Sequence, residues 1–143
     1  MGASVIAYWP EITEEQLESQ PGFYNDTKAW GDWMAVREED PAVLEAIEKL
    51  DAAAILSFTT NGLDAEDVFW VAPAELRDAA SKLKEAIQTG RSETKVILDT
   101  YQLNANGVAP VSEEFIQDLE DIVAIANWAE EEGASRMTLE VNW

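Results

Sequence analysis

Residues 3–9 read Ala-Ser-Val-Ile-Ala-Tyr-Trp, and this run decides how the rest of the chain is arranged. Its β-branched and aromatic side chains favour a strand. Successive side chains of a strand point to opposite faces, and here both sets are apolar: Val5, Ala7 and Trp9 on one, Ile6 and Tyr8 on the other. Such a strand belongs in the interior of a sheet with cover on both sides. Pro10 stops it. The last run, Arg136 to Trp143 (RMTLEVNW), is its counterpart. There Met137, Leu139, Val141 and Trp143 alternate with Arg136, Thr138, Glu140 and Asn142. One face is expected to be wet, as at a sheet edge or on an uncovered surface.

Working inward, Ala53 to Thr60 (AAILSFTT) reads as a second strand and Asp67 to Ala72 (DVFWVA) as a short third. Asn61-Gly62 marks a turn between them, in a connection too long for a two-residue hairpin. Helices fill the remainder. Thr13 is placed as an N-cap with Gln16 to complete a capping box, and Ile12 and Leu17 are spaced as a hydrophobic staple. A second helix is expected from Asn25 or Asp26, with Ala29, Trp30, Trp33, Met34 and Arg37 on one face. Asp40 and Pro41 open a third, striped by Val43, Leu44, Ile47 and Leu50. Pro73 opens a fourth, with Leu76, Ala80, Leu83 and Ile87 inward, an Asp78–Lys82 pair on its wet side and Gly90 as C-cap. Another follows from Ser92 through Val96, Ile97 and Tyr101. The longest, Ser112 to Glu132, carries Phe115, Leu119, Ile122, Ala126 and Ala129 in one stripe. The expectation is one α/β (α+β) domain over residues 1–143, a small mixed sheet of about four strands packed by about six helices. The end strands are candidates to pair; the pattern does not order the sheet.

Composition narrows the chemistry more than any motif does. The chain has no histidine and no cysteine. That removes the commonest general base near neutral pH, the commonest transition-metal ligand and all thiol chemistry. No basic leader or membrane-length apolar run is seen, so the cytoplasm is the expected setting. Twenty-nine acids face nine bases, for a net charge of −20. Such a chain repels nucleic-acid phosphates and anionic lipid, so neither nucleic acid nor membrane is an expected partner. The acids are spread along the chain, which fits solubilising cover. They also fit recognition of a strongly basic protein partner, steered by long-range attraction.

Trp30 and Trp33, with Asp26, Lys28 and Asp32 nearby, could line a ligand pocket, because aromatics with a few charges are the usual lining. The competing reading packs both indoles into the core. Asp64, Glu66 and Asp67, and Asp118, Glu120 and Asp121, form carboxylate clusters open to weak divalent-cation binding. Neither has an EF-hand pattern, and Asp118 and Asp121 are expected on a solvated helix face. Glu11 and Asp32 are candidates for paired acid–base work on a sugar or lactam, though no spacing brings them together. No phosphate-cradling glycine loop or serine elbow is present. No catalytic residue, metal or cofactor is therefore assigned.

Met1-Gly2 before the first strand, the helix at Glu14 to Leu17 and Thr27-Lys28-Ala29-Trp30 resemble the YfbM-like bacterial proteins of unknown function. The proline-led helix from Pro73 and the closing helix–glycine–strand, Phe115 to Val141, extend the resemblance over most of the chain. It departs at Gly31, where that family often has histidine. The resemblance implies an α/β fold in a bacterial cytoplasm, with a role beside toxin or stress systems, and no catalytic residues.

The functional expectation is a non-enzymatic acidic protein for a basic partner, of inhibitor or immunity type. The alternative is a small ligand-binding domain or carboxylate-based enzyme using Trp30 and Trp33, and a third possibility is a dimer through the edge of the last strand. The charge itself makes a prediction. Solubility should be lowest near the pI of about 4.1, and the melting temperature should rise from low to moderate salt as screening weakens self-repulsion. Calorimetric melts identical at both salt concentrations would show that the repulsion is negligible.

Overall fold

Strand β4 (Thr138–Asn142) lies between β1 (Ala3–Tyr8) and β3 (Phe58–Thr60), and β2 (Phe23–Asn25) adds to the far side of β1. The computed structural model describes residues 3–25, 40–60, 68–105 and 111–142. Its fold is mixed helix and strand, α+β, with helix predominating. The helices are α1 (Glu14–Ser19), α2 (Pro41–Lys49), α3 (Pro73–Thr89), α4 (Thr94–Ala105) and α5 (Val111–Glu131), with a 3-10 turn at Ala53–Leu56. The two longer strands carry the sheet. β1 and β4 pair antiparallel from Ser4↔Asn142 to Tyr8↔Thr138, whereas β2 and β3 are three-residue attachments. β3 runs parallel to β4, with Phe58 opposite Leu139, so the sheet is mixed.

Val5, Ala7, Met137, Leu139 and Val141 are fully buried on one face of the sheet, with Trp9 nearly so. They form one core with α2, α3 and α5. The expected stripe of α5, Phe115, Leu119, Ile122, Ala126 and Ala129, is completely excluded from water, as is Ile125. Burying each of the larger side chains stabilises by about 1.5–3 kcal/mol. Trp9 meets Trp128 of α5 with ring centroids 5.6 Å apart. Arg77 ties α3 to α5 by reaching Asn127 and Glu130. Cap chemistry sets the helix starts as expected. Thr13 Oγ1 accepts the Gln16 N–H while Gln16 Oε1 accepts the Thr13 N–H, and Asp40 Oδ1 accepts the Ala42 N–H. Gly90 takes φ +71° at the end of α3, a conformation that costs glycine nothing.

Four expectations need correction. The stretch expected as a strand from Ala53 is a 3-10 turn to Leu56 and a strand only from Phe58. Alanine is a poor strand former, so the alanine-rich half keeps helical turns and the Phe-Thr-Thr half enters the sheet. The strand expected over Asp67 to Ala72 is a single bridge between Val71 and Met137 within the described residues. β3 occupies the same edge of β4 from Leu139 onward, leaving Val71 only Met137, the residue just before the strand. The last strand is interior, so it offers no edge for dimerisation, and its second face is partly covered: Thr138 is fully buried and Glu140 half-buried. Finally, the described residues hold five α-helices. The expected second helix lies outside them apart from Asn25, which closes β2. The strands expected are thus not the set observed, since β2 was unforeseen.

Gln20 completes the sheet beyond β2. Its Oε1 accepts the Ala7 N–H at 2.6 Å and its Nε2 donates to the Ala7 carbonyl at 3.3 Å, so one side-chain amide replaces a strand residue. Gly22 lets the chain approach closely, because a Cβ there would meet Ile6 Cγ2 at 2.7 Å and the Val5 carbonyl at 2.8 Å. Gln20→Ala should cost about 1–3 kcal/mol in urea unfolding, the penalty for orphaned buried polar groups, with faster exchange of the Ala7 amide. Unchanged stability would show that water replaces the amide at no cost.

Candidate functional site

The end of α2 sets one side of a groove. Leu50 is its C-cap, and Asp51 takes φ +56°, a left-handed conformation usually filled by glycine. The Asp51 N–H reaches the Glu48 carbonyl and the Ala52 N–H the Ile47 carbonyl, closing the helix in a Schellman arrangement. This turn projects the Asp51 side chain into solvent, 91% exposed, where Lys82 Nζ of α3 donates to Oδ2 at 2.7 Å. Lys82 was expected to pair along its own helix with Asp78; instead it crosses to α2. The hydrogen bond and charge of Lys82 hold the Asp51 carboxyl below its ordinary range, and donating that hydrogen bond to Asp51 raises Lys82.

The other side is the extended segment Val68–Val71. Three contacts hold it. Val71 exchanges backbone hydrogen bonds with Met137 at 3.0 and 2.7 Å. The buried Ser57 hydroxyl donates to the Phe69 carbonyl and lies 3.1 Å from Thr138 Oγ1. Trp70 stacks on Tyr8 at 6.2 Å and 29°, with the Arg136 guanidinium 5.0 Å from its ring centre. With Trp70 turned to that face of the sheet, Phe69 and Val71 line the groove. Phe69 is 50% exposed, the one exposed large hydrophobic side chain among the described residues.

Ala53, Ala54 and Ala79 complete an apolar floor beneath a cavity of about 280 Å³. Asp51, Glu75, Asp78 and Lys82 ring it. Glu75 also accepts the Ala72 N–H at the start of α3, at 3.2 Å. A second cavity of about 280 Å³ lies beyond Lys82, between Leu50, Glu85, Thr89 and Arg91. To a ligand, the first groove offers small apolar contacts, an aromatic wall and carboxylates for a cation.

Asp26, Lys28, Trp30, Asp32 and Trp33 lie outside the described residues, as do Asp64, Glu66 and Asp67. Glu11 is exposed in the turn after β1. The α5 acids are not one solvated set: Asp118 is 5% exposed and engaged within the protein, Glu120 pairs with Lys84 at 3.0 Å, and Asp121 is half-buried. Burial pushes the Asp121 carboxyl up, helped by neighbouring Glu120 and opposed by a hydrogen bond from Gln117. Among the described residues no group of three or more acids is arranged to hold a metal ion. Sequence reasoning missed Phe69, read as part of a strand, and Asp51. The signal for Asp51 was available: an aspartate sits where the residue after a helix C-cap is usually glycine.

Comparison with family models, curated proteins and solved structures finds no match, and nothing in it bears on the YfbM-like resemblance.

Two carboxylates should respond oppositely to pH. The depressed Asp51 contributes stability above its ordinary pKa that is lost as pH falls through its folded value. Asp51→Asn should therefore lower the melting temperature slightly at pH 7 and have no effect at strongly acid pH. Asp121 is raised, so its ionisation opposes folding as pH rises. Asp121→Asn should raise the melting temperature at pH 7, with the gain vanishing below the carboxylate range. Shifts of the same sign in both variants would refute the assignment.

Proposed function

We propose that this is a non-enzymatic acidic binding protein for a basic protein partner, of inhibitor or immunity type, acting in a bacterial cytoplasm. The observation that carries the reading is how its bases are used. Among the described residues, Lys49, Arg77, Lys82, Lys84, Arg91 and Lys95 each pair with an acid of the same chain. Arg136 lies over Trp70. With these bases turned to acids of the same chain, the excess of 29 acids over nine bases supports a reading in which further cations come from another molecule. Opposite charge of this size steers encounter and speeds association, strongly at low salt. The absence of histidine and cysteine supports binding over turnover. No helix of the described residues is long and apolar enough to cross a membrane.

The test is affinity capture from source lysate at low and high salt, then equilibrium binding to the purified captured protein. A partner of high pI, whose affinity falls steeply with added salt, is expected. Capture of nothing at low salt, or an affinity indifferent to salt, would refute the proposal.

A further inference from the structure

We infer that the groove between Phe69 and α3 is the docking point for that partner, and that it takes a surface segment presenting an arginine or lysine beside an aliphatic side chain. The inference rests on the binding function proposed above and specifies its chemistry. Size argues first. An open groove of about 280 Å³ has room for one or two side chains of a protein segment. The lining argues next. Ala53, Ala54, Val71 and Ala79 leave shallow apolar space, and Phe69 stands half exposed at its wall. An aliphatic side chain laid there removes apolar surface from water on both molecules.

Charge then selects the neighbour of that side chain. Three carboxylates and one ammonium ring the groove, so a cation is attracted and a phosphate or acidic segment repelled. A second copy of this chain is disfavoured for the same reason, because each carries −20. Lys82 acts as the resident cation. It holds Asp51 in an ion pair whose side chains are 46% and 91% exposed, and such pairs cost little to open. An incoming guanidinium, able to pair with a carboxylate through two parallel hydrogen bonds, displaces the lysine's single point charge. The Lys82 stem remains free to swing toward Asp78 or the second cavity, both beside it.

Two labelled peptides of equal charge test this by fluorescence anisotropy at low salt: one alternating arginine with leucine, the other arginine with serine. The leucine peptide is expected to bind the wild-type protein about tenfold more tightly, the worth of one buried aliphatic side chain. Phe69→Ser, an exposed change whose folding is checked by its melting temperature, should abolish most of that preference. Lys82→Gln should tighten both peptides about threefold by removing the competing cation. Salt-sensitive binding of both peptides with no dependence on Phe69, or with Lys82→Gln neutral or weakening, would overturn the groove and leave the general binding function standing. Failure of both peptides to bind at low salt would overturn both.

Discussion

The pairing of β4 with β1 on one edge and β3 on the other, with Val71 bridged to Met137 just before it, is the constraint from which the rest of the structure follows. Val5 and Val141 stand opposite each other with no exposure, joining segments near the two ends of the chain. Such a contact closes a very long loop, so its entropic cost must be met by the burial it organises. That burial is the joint core of sheet, α3 and α5. β4 also brings a parallel neighbour, β3, against a strand whose other neighbour is antiparallel, and so makes the small sheet mixed.

The divided edge of β4 explains why a groove exists. Had residues 68–72 paired along the whole strand, Phe69 would lie within a regular ladder. Instead β3 takes the positions from Leu139 onward, and the Phe69 segment keeps one bridge at Met137. Its remaining anchors are polar or aromatic. Ser57 is fully buried, which is tolerable because its hydroxyl has partners in the Phe69 carbonyl and Thr138. Trp70 is fixed from the other side by Tyr8 and Arg136. The segment is held by its backbone and by one alternate side chain, so Phe69 is presented to solvent on a firm mount.

Helical periodicity was readable wherever one face is buried and the ends are punctuated. The Thr13–Gln16 box, the span from Pro73 to Gly90 and the stripe from Phe115 to Ala129 follow directly from side-chain chemistry and 3.6-residue spacing. Strands were harder to read. Alternation in Thr138–Asn142 announces a strand but not its neighbours, and Thr138 is buried by Ser57, a contact 81 residues away in sequence. The apolar run DVFWVA fits a buried strand as well as a bridge with an exposed phenylalanine, and only competition for the edge of β4 separates the two. The groove was illegible for the same reason. Asp51, Phe69 and Glu75 come from three elements whose proximity is a product of sheet order. The five residues nominated from Asp26 to Trp33 lie outside the described residues, so the structure contributes nothing to that pocket.

Net charge and groove act at different ranges, and neither replaces the other. The field of −20 reaches outward by about the Debye length, roughly 8–10 Å at ordinary salt, and raises the encounter rate with any basic protein. It does not distinguish one such protein from another. Discrimination needs contacts at van der Waals range, and in the described surface Phe69 supplies a large apolar one beside carboxylates. Lys82 fits this division of labour. Lys82 offsets one of the three carboxylates that line the groove, while backbone hydrogen bonds hold Asp51 in its left-handed turn. Because both members of that pair are solvated, exchanging the lysine for a partner's guanidinium exposes no buried charge. In the proposed docking, a weak solvated pair is thus exchanged for a two-hydrogen-bond one at little cost.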